Sequence, residues 1–115
     1  MKAATRAKLE LLNKYKAGEY TQSFVLGAAT VCLGIRRDAL FLASIHVPKE
    51  ERGKGHGQRA LKALISVCDK HECACSLEVR PFAGNRSHNK LRLWYEANGF
   101  YPTRGQYMKR QPRRV

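Results

Sequence analysis

The sequence predicts an α/β protein: one mixed β-sheet of about six strands with helices on both faces. Three observations predict it. Strand-like runs and amphipathic helical segments alternate in the order α-β-β-β-α-β-α-β-β. One of the strands runs straight into a glycine-rich loop that opens a helix. The chain, at 115 residues, has room for one domain, and a core of that size folds unaided. That domain is expected over residues 1–110, with 111–115 as a basic tail.

Ala4, Ala7, Leu11, Leu12 and Tyr15 recur at helical spacing, so a helix is expected from about Lys2 to Lys16, with Gly18 placed to stop it. Tyr20 to Leu26 and Thr30 to Ile35 read as strands, and Arg36-Arg37-Asp38 as the turn into a third, Ala39 to Val47. The third is apolar on both faces at Leu40-Phe41-Leu42, as a central strand should be, and Pro48 ends it. Leu61, Leu64, Ile65 and Cys68 form one apolar stripe on a helix from about Gly55 to Lys70. Ser76 to Arg80 is a strand with Leu77 and Val79 inward and Glu78 and Arg80 on the other face. Pro81 to Ser87 reads as a loop. Leu91, Trp94, Tyr95 and Asn98 mark a third helix, which Gly99 closes. Two last strands, around Phe100-Tyr101 and Gln106 to Lys109, pair across Pro102 to Gly105.

Composition narrows the classes. The longest apolar stretch, Phe24 to Ile35, is broken by Gly27, Thr30 and Gly34 and is too short to span a bilayer. The first residues lack the apolar run of a signal peptide, so a cytoplasmic protein with no membrane association is expected. Its four cysteines are then reduced. Cys68, His71, Cys73 and Cys75 follow no usual zinc spacing, and the cysteines read as small buried hydrophobes at a helix–strand junction, with no metal. The net charge is +13, from 22 Lys and Arg against 9 Asp and Glu. Such an excess fits a nucleic acid, an acidic partner or, in part, a phosphate-rich cofactor.

The sharpest feature is Val47-Pro-Lys-Glu-Glu-Arg-Gly-Lys-Gly-His-Gly57. A loop of this kind exposes backbone N–H groups at a helix N-terminus, where the helix dipole also favours an anion. Gly53, Gly55 and Gly57 permit close backbone approach, and Arg52, Lys54 and His56 add charge or donors. The ligand this suggests is a pyrophosphate. Neither the P-loop spacing nor the dinucleotide fingerprint is present.

Arg52-x-x-Gly55-x-Gly57 resembles the coenzyme-A signature [QR]-x-x-G-x-[GA] of the GNAT superfamily of N-acetyltransferases. Leu93-Trp-Tyr-Glu-Ala-Asn-Gly-Phe100 resembles the second signature of that family, L-Y-E-x-x-G-F, at the expected distance downstream. Between them, Leu77-Glu-Val-Arg80 is similar to the L-E-V-R strand of the ribosomal-protein N-terminal acetyltransferases within it. The three matches stand in family order over Ala39 to Tyr101. The sequence departs from the pattern in a truncated N-terminus, a longer Pro81–His88 loop, and His88 where an Asn often opens the last long helix. Asn85 or Asn89 would then make that cofactor contact.

The resemblance implies acetyl-CoA as cofactor and transfer of its acetyl group to a primary amine by direct attack. Pantetheine would lie where Ala39–Val47 splays from Ser76–Arg80, pairing with backbone near Ala43 to Val47, with Ile45, His46 and Val47 as the candidate contacts. A backbone N–H on the splayed strand would face the oxyanion. Tyr95 matches the acid of the family, which protonates the departing thiolate. Glu78 matches the Glu of L-E-V-R and is the chosen base, with His46 its rival. Glu50 and Glu51 read as solvated loop charges, and Trp94 as packing.

Two alternatives stand beside this reading. One is a basic nucleic-acid-binding module, against which Tyr15, Tyr20, Trp94 and Tyr95 do not interleave with basic residues on one strand face. The other is a degenerate coenzyme-A binder that regulates rather than catalyses, since the truncated N-terminus removes part of an acceptor groove. A homodimer would complete such a groove. The acceptor is expected to be acidic or nucleic-acid-associated.

Overall fold

The structure, a computed structural model, describes residues 1–80 and 88–113. Helix α1 (Ala3–Lys14) leads into strands β1 (Lys16–Ala17), β2 (Ser23–Leu26), β3 (Ala29–Arg36) and β4 (Ala39–His46). A single 3-10 turn (Lys49–Glu51) precedes α2 (His56–Lys70), then β5 (Cys75–Glu78), α3 (His88–Ala97), β6 (Tyr101–Pro102) and β7 (Tyr107–Arg110). The strands form one sheet in the order β1-β2-β3-β4-β5-β7-β6, parallel between β4 and β5 and antiparallel elsewhere. The expected loop Pro81–Ser87, the candidate Asn85 and the last tail residues Arg114 and Val115 lie outside the described residues.

The sheet has seven strands rather than about six because the first helix ends early. Tyr15 is extended, and its ring stacks on Phe24 with centroids 5.2 Å apart. That contact turns Lys16 and Ala17 into a strand pairing with Val25 and Phe24. Gly18, expected as a helix stop, instead bonds to Ser23 O through its N–H at 3.1 Å. A Cβ there would meet Ser23 Oγ at 2.3 Å, so glycine is required for close approach.

Helices were expected on both faces of the sheet. Among the described residues all three pack against the face carrying Val31, Leu33, Leu40, Leu42, Leu77 and Met108, which form the core. Glu10 of α1 accepts from Lys70 and bonds His71 at the end of α2. Gln58 of α2 accepts from Trp94 Nε1 of α3 at 2.6 Å. The opposite face carries Val25, Thr30, Cys32, Gly34, Phe41, Ser44, Ser76, Tyr101, Tyr107 and Lys109 by register, and no described helix covers it.

The end of the chain is less tail-like than its charge suggests. Arg110 is buried, bonding both Asp69 carboxylate oxygens at 2.7 and 3.1 Å and Asn98 O at 3.2 Å. Arg113 N–H adds a bond to Asp69 at 2.9 Å. Cys68, Cys73 and Cys75 are buried free thiols. Hydrogen bonding with Cys68 and burial push the Cys73 thiol up, so it is a neutral part of the core.

Helices α3 and α2 each end in a Schellman motif, with bonds Phe100 N–Tyr95 O and Gly99 N–Glu96 O after α3, and Cys73 N–Cys68 O and Glu72 N–Asp69 O after α2. The left-handed position is Gly99 (φ 95°) in the first and Glu72 (φ 53°) in the second. A side chain there costs about 1 kcal/mol. Glu72 is exposed, so Glu72→Gly is expected to raise the melting temperature by roughly 4 °C. A thermal melt showing no gain would mean the Glu72 side chain offsets its own backbone strain.

Candidate active site

The site begins at an irregularity in β4. Cys32 pairs with Ser44 but Leu33 pairs with Leu42, which leaves Ala43 as an extra residue, a β-bulge. The bulge falls where the partnership with β5 stops. Leu40, Phe41 and Leu42 pair with Cys75, Ser76 and Leu77, and no pair follows. Beyond that point β5 continues against β7, through Glu78 and Tyr107. The two strands therefore part, and backbone from Ala43 onward has no strand on its β5 side.

A cavity of about 760 Å³ fills the opening. One wall is β4 at Ala43, Ser44 and Ile45, and Val47 beyond it; the other is Glu78 and Arg80. The glycine loop forms one end, and Leu91, Trp94 and Tyr95 of α3 close the side.

The loop is shaped by two left-handed glycines, Gly53 (φ 79°) and Gly55 (φ 82°), the latter the N-cap of α2. The first helical bond of α2 is Arg59 N to Gly55 O at 3.1 Å. The preceding N–H groups have no partner within the helix, and Gly55, His56 and Gly57 line that end of the cavity. A Cβ on Gly57 would stand 3.9 Å from Trp94 and Val47, taking up space inside the cavity without a clash. Arg52 Nε donates to Val47 O at 3.0 Å, tying the loop to the end of β4.

His56 braces the loop with both ring nitrogens. Ala28 N–H in the β2–β3 turn donates to Nδ1 at 3.2 Å, so in the neutral ring Nε2 carries the proton and faces Glu51 at 3.2 Å. Gly27 allows that approach, since its Cβ would stand 2.6 Å from Nδ1. Glu51 also accepts from Lys54 at 3.0 Å. Expected as a solvated charge, it lines the cavity and holds Lys54 and the His56 ring.

Of the candidate residues, Ile45, Val47, Arg52, Gly53, Gly55, His56, Gly57, Glu78 and Tyr95 line the cavity, and His46, Lys54 and Asn89 do not. Tyr95 is 9% exposed, tilted against Trp94 and edge-on to Phe100 at 5.0 and 5.7 Å. Glu78 accepts from Arg80 Nε at 2.8 Å. His46 lies across from Thr30, on the helix-free face. The sequence reading passed over Gln58, which accepts from Trp94 and donates to Asn98 Oδ1 at 3.0 Å, joining α2 to α3 beside the cavity. Its only sequence signal is its place in the first turn after the glycines. Trp94, expected in packing, is part of the wall.

Among the described residues no three His, Cys, Asp or Glu side chains gather as metal ligands would. No helix among them is long and apolar enough to cross a membrane.

A parted strand pair over a glycine-rich helix N-terminus is the arrangement of an acyl-coenzyme-A transferase. The sequence matches the acetyltransferase (GNAT) family over residues 13–100, and the chain belongs to that family. Solved structures agree in fold. The anti-CRISPR protein AcrVA5 superposes with TM-score 0.65 at 19% identity, covering 76% of this chain and 94% of its own. Ard1 from Thermoplasma volcanium gives 0.64 at 15% identity, covering 96% and 93%. The ribosomal-protein-S18-alanine N-acetyltransferase from Escherichia coli gives 0.60 at 23%, covering 95% and 88%. Compared by sequence with curated proteins, the chain finds no match.

Proposed function

We propose that the protein transfers the acetyl group of acetyl-CoA to a primary amine. The observation that carries the reading is the parting of β4 from β5 beside the glycine loop, with Tyr95 and Glu78 on the cavity wall. The N–H groups at the start of α2 would take the pyrophosphate, helped by Arg52. The amides of pantetheine would pair with the open backbone of β4 at Ala43 to Ile45. The amine attacks the thioester carbonyl, and a β4 N–H supports the oxyanion. Tyr95 protonates the thiolate as it leaves.

Glu78 takes the proton from the acceptor ammonium. His46 is the poorer candidate, because it does not line the cavity, whereas Glu78 does. His56 acts on the cofactor by holding the loop, since both its ring nitrogens are engaged. The four free thiols suit a cytoplasmic chain. An acceptor carried on an acidic molecule suits the net charge of +13.

The test is incubation with labelled acetyl-CoA and a panel of peptide, polyamine and drug amines, read by mass spectrometry. Acetylation of at least one amine class is expected. Replacing Gly55 and Gly57 together with bulkier residues should abolish acetyl-CoA binding in a domain that still melts cooperatively. Unchanged affinity by calorimetry in that folded variant would remove the loop from the site.

A further inference from the structure

The helix-free face of the sheet carries a pattern that acetyl transfer leaves unused. The register places Gly34, Phe41, Ser76, Lys109 and Tyr101 in one row across β3, β4, β5, β7 and β6. From Phe41 to Tyr101 the row spans about 14 Å, three inter-strand gaps. Tyr107 stands two residues from Lys109 on the same face of β7. Arg36 lies over the Phe41 ring at 4.1 Å and reaches Tyr107 Oη at 3.4 Å. Tyr101 and Tyr107 are 41% and 38% exposed. Between Phe41 and the two tyrosines the floor is small at Ser76, and beside Phe41 it is small at Gly34.

The charge on this face is one-sided. Lys16, Arg36 and Lys109 share it by register, and the acid that the described strands place there, Glu78, is paired with Arg80 and belongs to the cavity wall. Aromatic rings alternating with cations on a shallow sheet face are what a single-stranded polynucleotide requires, with rings to stack on bases and cations to meet phosphates. The sequence reading had judged interleaving on Tyr15, Tyr20, Trp94 and Tyr95. The strand order instead brings the exposed rings of Tyr101 and Tyr107 together with Lys109 and with Arg36, which covers the Phe41 ring. An acidic peptide would match the charge but leave the exposed rings without stacking partners. We propose that this face binds single-stranded nucleic acid, independently of acetyl transfer at the cavity.

Fluorescence anisotropy with labelled twenty-nucleotide oligo-dT and oligo-U tests it, with a duplex of equal length for comparison. Micromolar binding is expected, tighter for the single strands than the duplex and weakening with salt. Tyr101→Ala and Tyr107→Ala should each lower affinity roughly five- to 100-fold. Tyr107→Phe, which keeps the ring, should retain most of it. Lys109→Glu should weaken binding, while Lys62→Glu on the exposed side of α2 changes it less than two-fold. Thermal melts verify that each variant folds. The proposal is overturned if no single strand binds, if the duplex binds as tightly, or if Lys62→Glu weakens binding as much as Lys109→Glu. Polyglutamate competing as well as an oligonucleotide would assign the face to acidic peptides instead. A dimer in light scattering that Tyr107→Ala dissolves would assign it to a second copy of the chain.

Discussion

Tyr95→Phe is expected to lower turnover by roughly 10²–10⁴-fold, the usual worth of a positioned acid, while acetyl-CoA affinity stays within a few-fold. The substitution removes one oxygen and keeps the ring that packs between Trp94 and Phe100. A loss of turnover without a loss of binding or melting temperature therefore reports the hydroxyl and not the core. The comparison uses the best acceptor from the amine screen. Glu78→Gln should lower turnover at neutral pH and recover in part as rising pH deprotonates the amine without help. His46→Gln should do little, because the residue does not line the cavity. Full activity in Tyr95→Phe would remove the acid assignment, and a pH profile carried by His46 would move the base to β4.

The case of His46 shows where sequence reasoning stops. His46 entered as a rival base for its imidazole and its place at the end of the splayed strand, and by simple alternation along β4 it would share a face with Leu40 and Leu42. The extra residue at Ala43 reverses the parity, so that Ile45 joins the core face and His46 leaves it. A bulge adds one residue without changing hydrophobicity, and nothing in Leu-Ala-Ser-Ile announces it. Leu77 and Val79, on a strand without a bulge, point inward as alternation predicts. The loop was legible because its chemistry is local: glycines at fixed spacing, a helix after them, a strand before. Helix α2 likewise follows its apolar stripe from end to end. Where a distant contact decides, the sequence is silent. Tyr15 leaves its helix because Phe24 is there to stack on. Arg36 and Tyr107 meet although 71 positions apart, so the aromatic and basic row had no signature along the chain.

Arg110 is the sharpest such case, and it carries the second large expected effect. Its side chain is only 4% exposed and joins α2, α3 and β7. Arg110→Met should cost about 3–5 kcal/mol at neutral pH, since it strands a buried carboxylate, and lower the melting temperature by more than about 10 °C. Asp69→Leu combined with Arg110→Met should return much of that loss, because the stranded charge goes too. The pH dependence gives an independent check. Burial pushes the Asp69 carboxyl up, but the Arg110 hydrogen bond and charge with the Arg113 N–H outweigh it and hold it below its ordinary value. A carboxyl depressed in the folded state stabilises above its unfolded pKa of about 3.9 and loses that contribution as pH falls through the folded value. Glu10, lowered by hydrogen bonds from Lys70 and His71, adds to the same acid limb. The difference between wild type and variant isolates Asp69: in denaturant melts from pH 6 to pH 2, the gap between them should close as Asp69 takes up its proton. A gap that stays constant across that range would mean that Arg110 stabilises the fold through packing and the Asn98 bond rather than through the carboxylate.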